Sequence, residues 1–152
     1  MPTVTISEKT PQQAFSRKMA RLEAHEPPGA AAAGSSEVRE GLPYEALESL
    51  SQTLGLTQDV LTRVLDVSER TLQRRRRSGR LSASESDRLW RMAHIYRLVL
   101  EAFDARTDEA REWLTTPKRA LGGDAPVEHL DTEPGARTVE QMLATIEHTM
   151  PA

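Results

Sequence analysis

Apolar residues recur at intervals of three and four positions from Pro43 onward, which is the spacing of a helix with one buried face. No window in this part of the chain alternates apolar and polar residues as a half-buried strand does. Leu47, Leu50 and Leu54 predict a first helix, and Gly55 can end it in the left-handed conformation. The pattern therefore predicts an all-α body.

Two short helices are predicted next, separated by the three residues Asp66 to Ser68. The first has Thr57 at its N-cap. Its apolar face comprises Val60, Leu61, Val64 and Leu65. The second is capped by Ser68, carries Leu72 as its inward residue and ends at Gly79. Two helices joined by so short a turn are typical of a helix-turn-helix.

A longer helix follows, because Ser82 and Glu85 have the spacing of a capping box. Its apolar positions are Leu89, Met92, Ala93, Tyr96, Leu100 and Phe103. At about 1.5 Å per residue this helix extends roughly 30 Å. It is therefore long enough to join two subdomains.

The C-terminal part contains shorter elements. Thr107 is predicted to cap a helix that reaches Leu114, and Gly122 with Gly123 to form a tight turn. A further helical turn is expected over residues 127–130. A last helix is marked by Val139, Met142, Leu143 and Ile146.

The first 41 residues differ from this body. The segment from His25 to Glu37 combines two prolines, an alanine run and a Gly-Ser-Ser sequence, which predicts a linker. Before it, Thr10 and Pro11 can start a short helix. The narrow apolar stripe of that helix, Phe15, Met19 and Leu22, either docks on the body or a partner, or stays mobile. We therefore expect an N-terminal arm and linker (1–41), a helix-turn-helix domain with the long helix (42–103) and a C-terminal domain (104–152).

Charge is distributed unevenly along the 152 residues. The net charge is −3 overall, but +7 over residues 70–97 and −6 over residues 98–152. A basic block beside an acidic one suggests a polyanion as one partner and a different molecule as another. The chain has no cysteine, and no apolar run is as long as a membrane span. Its start lacks the pattern of a signal peptide, so we expect a cytoplasmic protein.

The basic block is concentrated in the second helix of the predicted helix-turn-helix. Six arginines lie between Arg70 and Arg80, four of them consecutive. At 100° per residue, one side of this helix presents Arg70, Gln73, Arg74 and Arg77, whereas Leu72 points the opposite way. No acidic residue follows the run at three or four positions, so the run costs stability unless it meets an anion. These features predict binding to duplex DNA.

A helix in the major groove reads bases from its N-terminal half and contacts phosphates from its edges and ends. The candidate base-reading residues are Arg70, Thr71, Gln73 and Arg74, and the capping Ser68 is also a candidate DNA-binding residue. The candidate phosphate contacts are Arg75, Arg76, Arg77 and Arg80. If a dimer neutralises about eight phosphates, log K falls with log salt concentration with a slope near −7.

Other chemistry has little support in the sequence. The four histidines, His25, His94, His129 and His148, show no metal-binding spacing, and no nucleophile and base stand at a recognisable spacing. We therefore expect no catalytic residue, no metal and no cofactor. A stiff apolar series, Trp113, Leu114, Pro117, Leu121 and Pro126, either closes the core or forms a protein-binding surface.

The chain from about Leu42 to Ala152 resembles the Xre/MbcA/ParS antitoxins. The resemblance is carried by the combination of "SERTL", "RLSASESDRL", "WLTTPKRALGGDAP" and "IEH". It implies an Xre-type helix-turn-helix that is joined by the long helix to a small helical toxin-binding domain. It does not extend to residues 1–41.

The same resemblance implies the partners and their sites. The implied partner is a RES-type toxin, similar to ADP-ribosyltransferases, which depletes NAD, and the antitoxin covers its active-site entrance and represses the shared promoter. The toxin-facing residues implied by position are Ala120, Leu121, Gly122, Gly123, Pro126, Glu147, His148, Thr149 and Met150. We expect a homodimer on a palindromic operator. The alternative is a free-standing transcriptional regulator whose C-terminal domain binds a ligand or dimerises.

Overall fold

The computed structural model describes the backbone of residues 30–149 and the side chains of residues 35–146. Its α-helices are α1 (Ala30–Glu40), α2 (Tyr44–Leu54), α3 (Gln58–Leu65), α4 (Glu69–Ser78), α5 (Ala83–Ala102), α6 (Thr107–Thr115) and α7 (Glu133–Thr149). Two 3₁₀ helices, η1 (Arg119–Leu121) and η2 (Pro126–Asp131), lie between α6 and α7. The only extended pairing in this range is an isolated antiparallel bridge between Pro43 and Arg80. The all-α prediction is confirmed.

The ends of the central helices follow from capping chemistry. The hydroxyl of Thr57 accepts the backbone N–H of Val60 at the start of α3, and Ser68 accepts the N–H of Thr71 at the start of α4. Ser82 and Glu85 form both hydrogen bonds of the predicted capping box at the start of α5. Gly55 ends α2 with φ of 62°. The caps predicted at Gly55, Thr57, Ser68 and Ser82 are therefore confirmed.

One hydrophobic core extends through both halves of the described structure. The long helix α5 contacts α1, α3, α6, η2 and α7, and α3 also packs against η2. The predicted inward residues Leu89, Met92 and Tyr96 are buried, but Leu100 is only partly so. Ile95 and Val99 are also buried, although neither is among the apolar positions predicted for this helix. Helix α5 is buried over a wider arc than one stripe because other elements cover it on several sides.

The predicted linker is wrong over residues 30–37. These residues belong to α1, which continues to Glu40 and packs along α5. The connection after it is also fixed, since the N–H of Leu42 donates to the buried hydroxyl of Ser86 at 2.8 Å. Gly41 adopts φ of 96° and lies so close to the carbonyl of Leu81 that a Cβ atom would overlap it. The predicted helix at Phe15, Met19 and Leu22 lies outside the described residues.

The predicted cap at Thr107 is also wrong. Thr107 is the first residue of α6, and Arg106 occupies the N-cap position without a side-chain cap. Asp104 and Ala105 both adopt left-handed conformations, with φ of 52° and 60°. This turn brings the Arg106 guanidinium to the carbonyl of Phe103 at 2.9 Å and to the carboxylate of Glu109. The start of α6 is therefore held by Arg106.

Candidate functional site

Helix α4 presents its arginines to solvent as the sequence predicts. Leu72 is 5% exposed and anchors the helix to the core. On the opposite side Arg70, Gln73, Arg74 and Arg77 are exposed. Within the described range none of these three arginines forms an ion pair. The outward side of α4 therefore carries free positive charge.

Arg75 is held differently from its neighbours. Its Nε donates to Oε1 of Glu85 at 2.8 Å, and its Nη2 donates to Oε2 of the same residue at 3.1 Å. The Glu85 side chain is 5% exposed and also accepts the N–H of Ser82. Because Glu85 binds two nitrogens of Arg75, we expect Arg75 to be less available for the predicted phosphate contact than its neighbours. It fastens the C-terminal half of α4 to the first turn of α5.

The environment of Glu85 keeps it ionised. Burial acts to raise the pKa of its carboxyl group, but hydrogen bonds from Arg75 and Ser82 outweigh burial, and the pKa lies below its ordinary value. The local sequence shows the capping box but gives no sign of the bond to Arg75, because the two residues belong to different helices. Glu85 is thus a residue of the site that the sequence marks only as part of a helix cap.

Two further arginines of the block have weaker contacts. Arg76 Nε lies 3.7 Å from Oε1 of Glu48; the Arg76 side chain is largely exposed and the Glu48 side chain is partly buried. Arg80 donates to the carbonyl of Gly41 at 2.9 Å, beside the bridge to Pro43. Acids from α2 and α5 therefore offset part of the block in space, although none does so along the sequence. Arg76 remains close to solvent and can exchange its carboxylate partner for a phosphate.

The C-terminal turn is closed around the backbone of Lys118. The carbonyl of Lys118 accepts the N–H groups of Leu121 at 3.1 Å and of Gly123 at 3.0 Å. Its own N–H donates to the carbonyl of Asp124 at 2.9 Å. Gly122 and Gly123 have φ of 70° and 94°, a region that favours glycine. The tight turn predicted at these glycines is confirmed.

The residues implied to face a toxin differ in their exposure. Ala120, Gly122 and Gly123 are exposed, whereas Leu121 and Pro126 are buried within the chain. Leu121 and Pro126 therefore support the exposed residues of the turn by packing beneath them, and do not themselves face solvent. The backbone of Glu147, His148 and Thr149 continues α7, but their side chains, and the whole of Met150, lie outside the described residues.

Most residues of the stiff apolar series between Trp113 and Pro126 pack into the hydrophobic core. Leu114 is buried with Leu121 and Pro126. Trp113 is half-buried, and its ring lies 6.4 Å from the ring of Phe103 between centroids. Pro117 is exposed. Only part of this series is thus available to a partner.

Ion pairs connect the helix-turn-helix to the C-terminal part. Arg63 Nη1 on α3 donates to Oε1 of Glu128 on η2 at 3.2 Å, and Arg63 Nη2 lies 3.9 Å from Oδ2 of Asp124. Arg91 on α5 reaches the carbonyl of Leu130 and lies 3.6 Å from the carboxylate of Glu133.

The described residues contain no cluster of three or more side chains suited to hold a metal ion, and no helix among them could cross a membrane.

Two family models match the chain. The antitoxin Xre-like helix-turn-helix domain matches residues 33–94, and the antitoxin Xre/MbcA/ParS C-terminal toxin-binding domain matches residues 100–148. The first match begins at residue 33, within α1, so the resemblance to these antitoxins starts before Leu42. This beginning agrees with the packing of α1 along α5.

Curated relatives named "Antitoxin Xre" support the same assignment. The chain is 30% identical to the one from Photorhabdus laumondii over 112 residues, which is 73% of this chain and 76% of the relative. It is 27% identical to the one from Yersinia enterocolitica over the same shares of both chains. It is 41% identical to the one from Pseudomonas putida over 78 residues, 51% of this chain and 48% of that protein. The chain therefore belongs to the Xre family of antitoxins, with a helix-turn-helix domain followed by a toxin-binding domain.

Proposed function

We propose that this chain neutralises a RES-type toxin that depletes NAD, and that it represses the operon encoding both proteins. In this proposal the C-terminal domain covers the entrance of the toxin's active site. The helix-turn-helix binds a palindromic operator as a homodimer in the cytoplasm. The chain needs no catalytic residue for either task, because excluding substrate and occupying a promoter are both binding events.

The free arginines on α4 carry the DNA-binding part of the proposal. An arginine run on a helix is often a solvated surface balanced by nearby acids. Here Arg70, Arg74 and Arg77 have no such partner in the described structure, while Leu72 and the Arg75–Glu85 pair fix the helix from the other side. A rigid helix with unpaired cations on its outer side suits the major groove.

The match to the toxin-binding domain, together with the exposed turn at Ala120 to Gly123, supports the second part. Co-expression with the neighbouring gene tests it. The neighbour expressed alone should arrest growth and lower cellular NAD, and this chain should restore growth and copurify with it. A harmless neighbour, with repression by this chain intact, would instead favour a free-standing transcriptional regulator.

Shortening the chain should separate its two tasks. A chain that ends at Ile146 loses the terminal residues expected to enter the toxin, but it keeps the buried Val139 and Leu143. We expect it to melt at the temperature of the full chain and to bind the operator unchanged, yet to give no protection from the toxin. Growth in co-expression and operator binding measure the two outcomes. Full protection by the shortened chain would refute a role for residues 147–152.

A further inference from the structure

Lys118 extends from the backbone of the C-terminal turn over an aromatic ring. Its Nζ lies 5.5 Å from the centroid of the Trp113 ring. The same ring is held from within by Phe103. The backbone of Lys118 is fixed by its hydrogen bonds to Leu121, Gly123 and Asp124. Both ends of this side chain are therefore restrained, which is unusual for a lysine because its stem is flexible.

The charge of Lys118 is incompletely compensated. Within the described part of the chain no carboxylate forms an ion pair with its ammonium group. Burial lowers the pKa of the amine, and the carboxylate of Glu112 opposes that shift only in part. Arg63, Arg106 and Arg137 in the neighbouring elements have carboxylate partners, whereas Arg111 and Arg119, which form no ion pair within the described residues, are exposed to solvent. Lys118 differs from both groups because it is partly buried and has no carboxylate partner in this range. A half-buried cation without a partner favours an incoming anion.

The surface beside Lys118 allows close approach. Gly122 and Gly123 have open space where a side chain would project, and Ala120 is exposed beside them. A partner can therefore bring its own backbone near this turn without meeting a side chain. A carboxylate on such a partner could reach the ammonium group of Lys118, which lies over the ring of Trp113.

We infer that Lys118 and Trp113, with the adjacent turn at Ala120, Gly122 and Gly123, form a contact surface that binds an aspartate or glutamate side chain of the toxin. This inference rests on the proposed toxin binding and adds the chemistry of one contact to it. Lys118 supplies the charge and Trp113 fixes its position. The bound carboxylate completes the ion pair that the isolated chain lacks.

Replacing Lys118 by methionine tests this inference, because methionine can keep the stem over Trp113 and lacks the charge. The neighbouring toxin is copurified with the full chain, separated in denaturant, refolded and titrated calorimetrically with each variant. We expect Lys118→Met to weaken toxin binding by about 10- to 100-fold. Lys118→Arg should restore part of the affinity. Arg119→Met, which removes an exposed charge from the next residue, should bind like the unchanged chain.

Thermal unfolding of the free variants distinguishes a binding role from a structural one. Lys118→Met loses the contact between the ammonium group and Trp113 but also removes the cost of burying that charge, so the melting temperature should stay close to that of the unchanged chain. Unchanged toxin affinity in Lys118→Met would overturn the inference. A melting temperature that falls together with the affinity would also overturn it, because Lys118 would then stabilise the fold. If the unchanged chain fails to bind the toxin, the proposed function itself is wrong.

Discussion

Replacing Arg70 and Arg74 together by alanine should abolish specific operator binding and leave protection from the toxin intact. Both side chains are exposed and lack ion pairs within the described residues. A bidentate contact between arginine and guanine contributes about 1–3 kcal/mol of discrimination. Losing two such contacts should therefore weaken specific binding by about 100-fold or more. Fluorescence anisotropy with a labelled operator at fixed salt concentration measures the loss.

The matched control removes the same amount of charge elsewhere. Arg119 and Arg137 are exposed in the C-terminal part. Changing both to alanine should leave operator binding close to that of the unchanged chain. Neither double variant should lose more than about 0.5 kcal/mol of stability, because all four positions are on the surface. Equal losses of operator binding in the two variants would mean that total charge, and not helix α4, determines DNA binding.

Changing Glu85 to glutamine should destabilise the fold by about 3 kcal/mol, since it leaves the guanidinium of Arg75 without its carboxylate. The carboxylate is 5% exposed, so water replaces the lost interaction poorly. For a domain of this size the melting temperature should fall by roughly 10 °C. The double variant with Arg75→Gln should be little less stable than either single one, because both remove the same pair. Additive losses would contradict a direct pair.

Asp87→Asn is the control for this variant. Asp87 lies in the same turn of α5, and 61% of its side chain is exposed. Its partner Arg91 is largely buried but has Glu133 as a second carboxylate partner. Loss of the Asp87 carboxylate should cost at most about 0.5 kcal/mol. The two variants should also differ in acid. Because the folded pKa of Glu85 lies below its unfolded value, the pair stabilises the protein above the unfolded pKa. This stability is lost as the pH falls through the folded pKa, and Glu85→Gln should lack that part of the acid-induced loss.

The elements that sequence predicted correctly are those whose causes are local. The caps at Thr57, Ser68 and Ser82 each accept the N–H group three residues ahead, so the residues that decide each helix start are close together in the chain. The exposed positions of α4 follow equally from helical periodicity around Leu72. Hence helix α4 and its outward arginines could be predicted without a structure.

The incorrect predictions concern features that depend on residues far away in the sequence. Residues 30–37 contain glycine and serine, which weaken a helix, but packing against α5 stabilises α1 in spite of them. Thr107 is a residue type that commonly caps helices. Because the chain makes a left-handed turn at Asp104 and Ala105, however, the helix begins at Thr107 and Arg106 occupies the N-cap position. The partner of Arg75 lies ten positions further along, in another helix. Pairs of this kind become visible only when the helices are placed side by side.

The salt dependence of operator binding tests the central claim most directly, because it counts the charges that DNA neutralises. With Arg75 held by Glu85, we expect phosphate contacts from Arg76, Arg77 and Arg80 of each chain. A dimer then makes about six such contacts, and log K should fall with log salt concentration with a slope near −5. A slope shallower than about −2 would contradict the docking of α4 in the major groove.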